Sequence, residues 1–272
     1  MKGTLWDSLG RSLLPLYFVF VVAYLVIPLL IVVPLSFSDT TYLVFPPRGF
    51  SWRWYSEIFL NPGWLKAFQT SLLLGVITAV GATGLGTLAA MAIVRFHRKT
   101  SFTIGAAFLV PQIVPAVITA LGAFLLLNAL GLLGTFTGLV IMHVMMALPL
   151  VVVTMTAALR QLGEGLSLAA RVLGATPLKA FIHVTFPAVA PSLAISAIFA
   201  FFISFDELII TLFISGSHVT MPVRIWADVK QELTPVVPAA ATLLTLLVAV
   251  LVVPIELYRQ RASIKDRVKL QM

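Results

Sequence analysis

The chain has 272 residues, of which 60 % are hydrophobic and 10 % charged, with a mean hydropathy of +1.06. So few charges cannot cover the water-facing surface of a soluble domain, where roughly 25 % is usual. The formal net charge of +8 does not point to nucleic acid, because the basic residues cluster at the ends of apolar stretches with no aromatic-interleaved basic patch. Cysteine is absent, so there are no disulfides and no thiol-ligated metal.

Apolar stretches of about 20 residues, the length that crosses a bilayer, recur along the sequence and predict an all-α polytopic membrane protein, a single transmembrane domain over residues 1–272. The first expected span, Leu13–Leu35, is too long for a signal-peptide core and reads as a retained anchor. The segment after it, about Asp39–Lys66, carries Trp52, Trp54, Tyr55 and Trp64, the residue types that sit at a membrane–water interface.

The second span, Phe68–Ile93, contains Gly75, Ala79, Ala82, Gly86 and Ala90, small side chains that let helix backbones approach closely. The third, Thr103–Leu127, is interrupted by Pro111 and Pro115 around Gln112. A proline frees a carbonyl, so irregular backbone here should line a cavity or be buried in protein. The fourth, Phe136–Ala158, holds His143, expected to be a hydrogen-bonded packing residue because no second ligand lies beside it at metal spacing.

The fifth span, Ala188–Phe213, ends in two neighbouring carboxylates. On a continuous helix Ser196, Ala200, Ser204, Glu207 and Thr211 share a stripe about 80° wide, which points to a water-filled path or a close helix partner. Asp206 falls about 100° away among phenylalanines. Glu207 is therefore expected to face a path near its outer gate, and Asp206 to be held by a pairing or capping contact at a subunit or loop interface. The sixth span is Val237–Leu257, preceded by a short amphipathic helix within Ser215–Pro235.

With the N-terminus inside, 13 of the 18 Lys and Arg residues fall on the inner side, so the positive-inside rule predicts that both termini are cytoplasmic. That places the loop at 160–187 between spans four and five in the cytoplasm. Leu166, Ala169, Ala170 and Leu173 form one apolar helical face. Gly174 is placed to end that helix in a left-handed conformation. Thr176 then caps a second helix with Pro177 at its first position.

Here the sequence resembles the permease subunits of ABC importers, whose signature is E-A-A, three residues, G, nine residues, then I-x-L-P. This chain has Leu168-Ala169-Ala170, Gly174 and Val184-Thr185-Phe186-Pro187 at that spacing. The resemblance extends over nearly the whole chain and is similar in detail to the spermidine/putrescine type: Trp54-Tyr55-Ser56, Ser204-Phe205-Asp206-Glu207, Leu212-Phe213, Ser215-Gly216, Met221-Pro222, Trp226 and Pro235. Two departures stand out. Leu168 replaces the signature glutamate, so the contact expected there is either missing or supplied otherwise, as by Glu164. Gln112 stands where the polyamine permeases carry an acid.

The resemblance implies a coupling site of Glu164, Leu168, Ala169, Ala170, Arg171, Gly174, Thr176 and Pro177 that docks on a partner ATPase. It implies a transport path touching Trp54, Gln112, Ser204, Asp206 and Glu207. It also implies ATP-driven alternating access, a homologous second permease, a cytoplasmic ATPase dimer that holds the ATP and magnesium, a periplasmic substrate-binding protein, and residence in the bacterial inner membrane among lipid. No cofactor, metal or catalytic residue is expected in this chain, which has no Walker A loop, H-E-x-x-H or G-x-S-x-G motif. The rival readings are a secondary transporter coupled to an ion gradient and a membrane enzyme.

Overall fold

A backbone in hydrocarbon has no water to bond, so long apolar runs close their hydrogen bonds within helices. The computed structural model describes residues 5–163, 165–231, 233–250 and 253–254. Its helices are α1 (Leu5–Ser36), α2 (Arg53–Leu60), α3 (Pro62–Ile93), α4 (Arg98–Ile113), α5 (Ala116–Ala129), α6 (Phe136–Leu162), α7 (Gly165–Val172), α8 (Pro177–Ala180), α9 (Phe186–Phe205), α10 (Ile209–Ile214), α11 (Met221–Gln231) and α12 (Val236–Val250). A π-helical turn, Phe181–Thr185, joins α8 to α9. Among the described residues there is no strand, only an isolated bridge between Ser38 and Phe50.

Four helical stretches are long and apolar enough to cross a membrane: Leu13–Ser36, Pro62–Ile93, Phe136–Leu162 and Pro177–Phe205. Where a third span was expected, α4 and α5 meet at 95°. The cause is local. Val114 precedes Pro115, whose ring disfavours helical backbone in the residue before it, and Val114 is extended at φ −73°, ψ 133°. Pro111, expected to share in the break, lies inside α4. The expected sixth span corresponds to α12, and most of its remaining residues lie outside the described ones.

Contacts divide the chain into two units, Met1–Pro62 with Ile225–Met272, and Gly63–Arg224. In the first, α2 is fastened to the end of α1. Ser36 Oγ donates to the Val33 carbonyl at 2.6 Å, and the Tyr55 hydroxyl therefore donates to Ser36 Oγ, also at 2.6 Å. The Trp54 indole N–H donates to the Ser38 carbonyl at 2.8 Å. The rings of Phe37, Trp52 and Tyr55 pack together around these bonds.

In the second unit α6 packs along α9, and α10 packs on α5. The small residues of α3 do what their spacing predicts. A Cβ added to Gly75 would lie 2.7 Å from the Phe201 ring of α9, and one on Gly86 would lie 2.6 Å from Val151 of α6. One apolar cluster gathers Leu74, Leu127, Leu139 and Ile210, and another Ala82, Val151, Met155 and Ala200. The Arg160 guanidinium donates to Ser101 Oγ, tying the end of α6 to the start of α4.

Candidate functional site

The loop after α6 folds as helix, turn, helix. Gly163 (φ 69°) ends α6. Glu164 lies outside the described residues, and α7 begins at Gly165. Its end is a complete Schellman closure: the Ala175 N–H bonds the Ala170 carbonyl and the Gly174 N–H bonds the Arg171 carbonyl, both at 3.0 Å, with Gly174 at φ 91°. Thr176 Oγ1 accepts from the Lys179 N–H at 3.3 Å, and Pro177 opens α8. The π turn follows directly, a local widening of the helix that frequently marks functional segments.

Helix α7 buries none of its residues in this chain. Leu166 is 55 % exposed, Leu168 58 % and Leu173 89 %. Ala169 and Arg171 are exposed as well, and Ala170 is half-buried. An amphipathic helix normally turns its apolar stripe to its own core; this one leaves it exposed and ends in a capped turn.

The residues expected on a transport path are distributed differently. Trp54 is only 6 % exposed and spends its N–H on Ser38, with the Arg53 guanidinium 4.4 Å above its ring. Its role in the fold is to hold α2, and its indole does not line an open surface. Gln112 is exposed in the last turn of α4, beside the bend.

Ser204 is buried, as are Ser196, Ala200 and Thr211 of the expected stripe. Of the two alternatives for that stripe, the structure shows the close helix partner: Ser196 Oγ meets Thr154 Oγ1 at 2.7 Å, and Ser204 Oγ meets His143 Nδ1 at 2.8 Å. His143 Nε2 lies 3.1 Å from Thr211 Oγ1, which itself donates to the Glu207 carbonyl at 2.9 Å. With its proton committed to Glu207, Thr211 must accept from Nε2–H. Nδ1 pairs with the Ser204 hydroxyl. One imidazole thus satisfies both sides of the gap between α9 and α10.

That gap corrects the helical-face argument for the two carboxylates. Helix α9 stops at Phe205, so Glu207 and Thr211 do not continue its stripe. Glu207 makes a capping contact of its own, its Oε1 accepting from the Ile210 N–H at 2.9 Å in the first turn of α10. Asp206 is exposed and Glu207 half-buried. The structure therefore brings Ser204 and Glu207 together through His143 and Thr211. His143 is central here and was legible only as a packing residue; its two partners lie 61 and 68 positions away. No cluster of three or more His, Cys, Asp or Glu capable of holding a metal occurs among the described residues.

Comparisons with known proteins identify the architecture. The model of the binding-protein-dependent transport system inner membrane component family matches residues 82–262. The spermidine/putrescine transport system permease protein PotC of Escherichia coli (strain K12) is 32 % identical over 251 residues, covering 92 % of this chain and 94 % of that protein. The putrescine transport system permease protein PotI of the same organism is 34 % identical over 234 residues, 81 % of each. The trehalose transport system permease protein SugB of Mycobacterium tuberculosis (strain CDC 1551 / Oshkosh) is 31 % identical over 242 residues, 85 % and 88 % of the two chains. A chain of a bacterial ABC transporter involved in the import of the acidic polysaccharide alginate matches with a TM-score of 0.69, covering 95 % of this chain and 99 % of its own. At 13 % identity that likeness speaks for the fold alone. With two thirds of its length matched by the family model and relatives above 30 % identity along most of the chain, this protein belongs to the binding-protein-dependent inner membrane components, the permease subunits of ABC importers.

Proposed function

We infer that the chain is a single six-span permease domain forming half of a pore for a small hydrophilic solute, a polyamine or a related amine or amino-acid derivative. Both termini and the loop at 160–187 face the cytoplasm. A homologous second permease completes the pore, a periplasmic binding protein delivers the solute, and two ATPase subunits drive alternating access. The observation that carries this reading is α7: a helix with no buried residue, packed mainly against the π turn and α8 and ended by the Gly174 turn and the Thr176 cap. Its exposed Leu166 and Leu168, with Leu173 just past its end, are the surface an ATPase groove would cover, with Ala169 and Ala170 small enough for close approach.

The solute class rests on the motif residues around Trp54 and Ser204–Glu207 and on the relatives PotC and PotI. A trehalose permease of nearly equal identity shows that overall identity does not choose the solute. Gln112 supplies no counter-charge for a desolvated cation, which favours solutes less charged than a free polyamine.

The test is uptake in cells carrying the chain with its neighbouring transport subunits. Sensitivity to vanadate, with calorimetric binding of a polyamine or related amine by the cognate binding protein, is the expected result. Uptake indifferent to vanadate but abolished by a protonophore would overturn the mechanism in favour of an ion-coupled transporter.

A further inference from the structure

Within the unit Gly63–Arg224, α3 and the π turn with the first half of α9 border an open cavity of about 510 Å³, inside the ~300–1,000 Å³ range of small-molecule sites. Its walls include Gly84 and Leu88 of α3, and Phe181 and Phe186, which bracket the π turn. No ionisable side chain lines it. Its hydroxyls are those of Thr83 and Thr87, one helical turn apart, 6 % and 7 % exposed, and neither Oγ1 has a hydrogen-bond partner.

Thr78, Thr156, Thr220 and Thr242 are likewise buried without a partner, but of these six hydroxyls only those of Thr83 and Thr87 line the cavity. A threonine in an apolar helix ordinarily donates to the carbonyl four residues earlier. Thr70, Thr154 and Thr245 each do so at 2.8 Å. A buried hydroxyl without a partner is costly, and two of them line one cavity with apolar walls.

The geometry points to a binding site for a neutral, single-chain amphiphile of the membrane, whose hydroxyl or carbonyl bonds Thr83 and Thr87 and whose hydrocarbon chain lies against Leu88, Phe181 and Phe186. A charged ligand is disfavoured because the walls offer no counter-charge. A pure hydrocarbon would leave both hydroxyls unmet. Because the cavity touches both ends of the π turn that joins the α7–α8 hairpin to α9, an occupant sits where coupling motion would have to pass. This inference needs only the membrane location of the chain and is independent of the solute carried.

The experiment uses the full chain, purified with its co-expressed transport subunits in phosphatidylcholine nanodiscs. The probe is a dodecanol bearing a diazirine in its alkyl chain, with labelled peptides located by mass spectrometry. Saturable labelling is expected on the stretches holding Leu88 and Phe181–Phe186, competed by dodecanol and not by dodecane. Thr83→Val and Thr87→Val keep the side-chain shape and should each weaken binding roughly two- to tenfold, the worth of one net hydrogen bond. Gly84→Leu should abolish saturable labelling while leaving the fold intact, since nothing lies within 4 Å of where its Cβ would sit. Equal competition by dodecane, or labelling unchanged in both valine variants, would overturn the site. So would labelling that the transported solute blocks, or that appears only without the second permease, because the cavity would then be the transport path or a subunit contact.

Discussion

Gly216 stands against Gly134 so closely that a Cβ on Gly216 would lie 2.7 Å from the Gly134 Cα. The two turns are joined by a bond from the Gly134 N–H to the Ile214 carbonyl at 3.1 Å, and Gly216 sits at φ 55°. Backbone cannot step aside as a side chain can. Gly216→Ala is expected to lower stability by roughly 1–3 kcal/mol from the conformation alone, with the clash added. Gly122→Ala, in α5 with open space around it, should be neutral or stabilising by about 0.5–1 kcal/mol. Thermal unfolding of the purified complex, compared between the two variants, checks this.

The turn at Gly174 depends on conformation in a different way. Nothing lies within 4 Å of a Cβ at Gly174, but its φ of 91° is one that side-chain-bearing residues rarely adopt. The damage from substitution should therefore follow backbone preference and not size. Gly174→Ala and Gly174→Val are expected to be similarly defective, and Gly174→Asn milder, since asparagine tolerates positive φ. The readout is stimulation of ATP hydrolysis by loaded binding protein in an assembled complex. A graded effect that tracks side-chain volume would contradict the prediction.

Much of this was legible in the sequence because its causes are local. Gly174, Thr176 and Pro177 specify their turn through backbone chemistry that neighbours cannot override cheaply. The small residues of α3 likewise announce a close approach, and Phe201 and Val151 occupy the space. The breaks in the third and fifth spans were harder to read because hydrophobicity runs through both. Pro115 gave a local signal for the first, and Pro111 gave the same signal without a break. The stop at Phe205 depends on partners in other helices, with His143 reaching across from α6. Periodicity cannot report that contact. It treated Ser204 and Thr211 as one stripe, when they are two ends of a gap bridged by a ring.

His143 should therefore be energetically coupled to both ends of that gap. His143→Leu removes two buried hydrogen bonds and is expected to cost about 1–3 kcal/mol. In a double-mutant cycle with Ser204→Ala, the coupling energy should fall within about 0.5–3 kcal/mol. Additivity of the two changes in complex stability would show that the imidazole bond to Ser204 contributes nothing.

The last prediction concerns the two carboxylates at the gap. Glu207 Oε1 accepts from the Ile210 N–H at 2.9 Å, while Asp206 is exposed at the end of α9. A carboxylate that accepts from a first-turn N–H satisfies one of the donors a helix leaves unpaired. Removing such a contact costs about 0.5–2 kcal/mol. Glu207→Ala should thus destabilise the complex by that amount, and Glu207→Gln, which keeps an oxygen acceptor, should be close to wild type in stability. If Glu207 also presents charge to the transport path, Glu207→Gln will still lower the uptake of a cationic solute, separating charge from capping. Asp206→Asn should leave stability unchanged, because an exposed group loses little when its charge is removed. Complex yield in detergent and binding-protein-dependent uptake are measured for all three variants. Loss of assembly in Asp206→Asn, with normal stability in Glu207→Ala, would assign the capping role to Asp206 and require α9 to continue past Phe205.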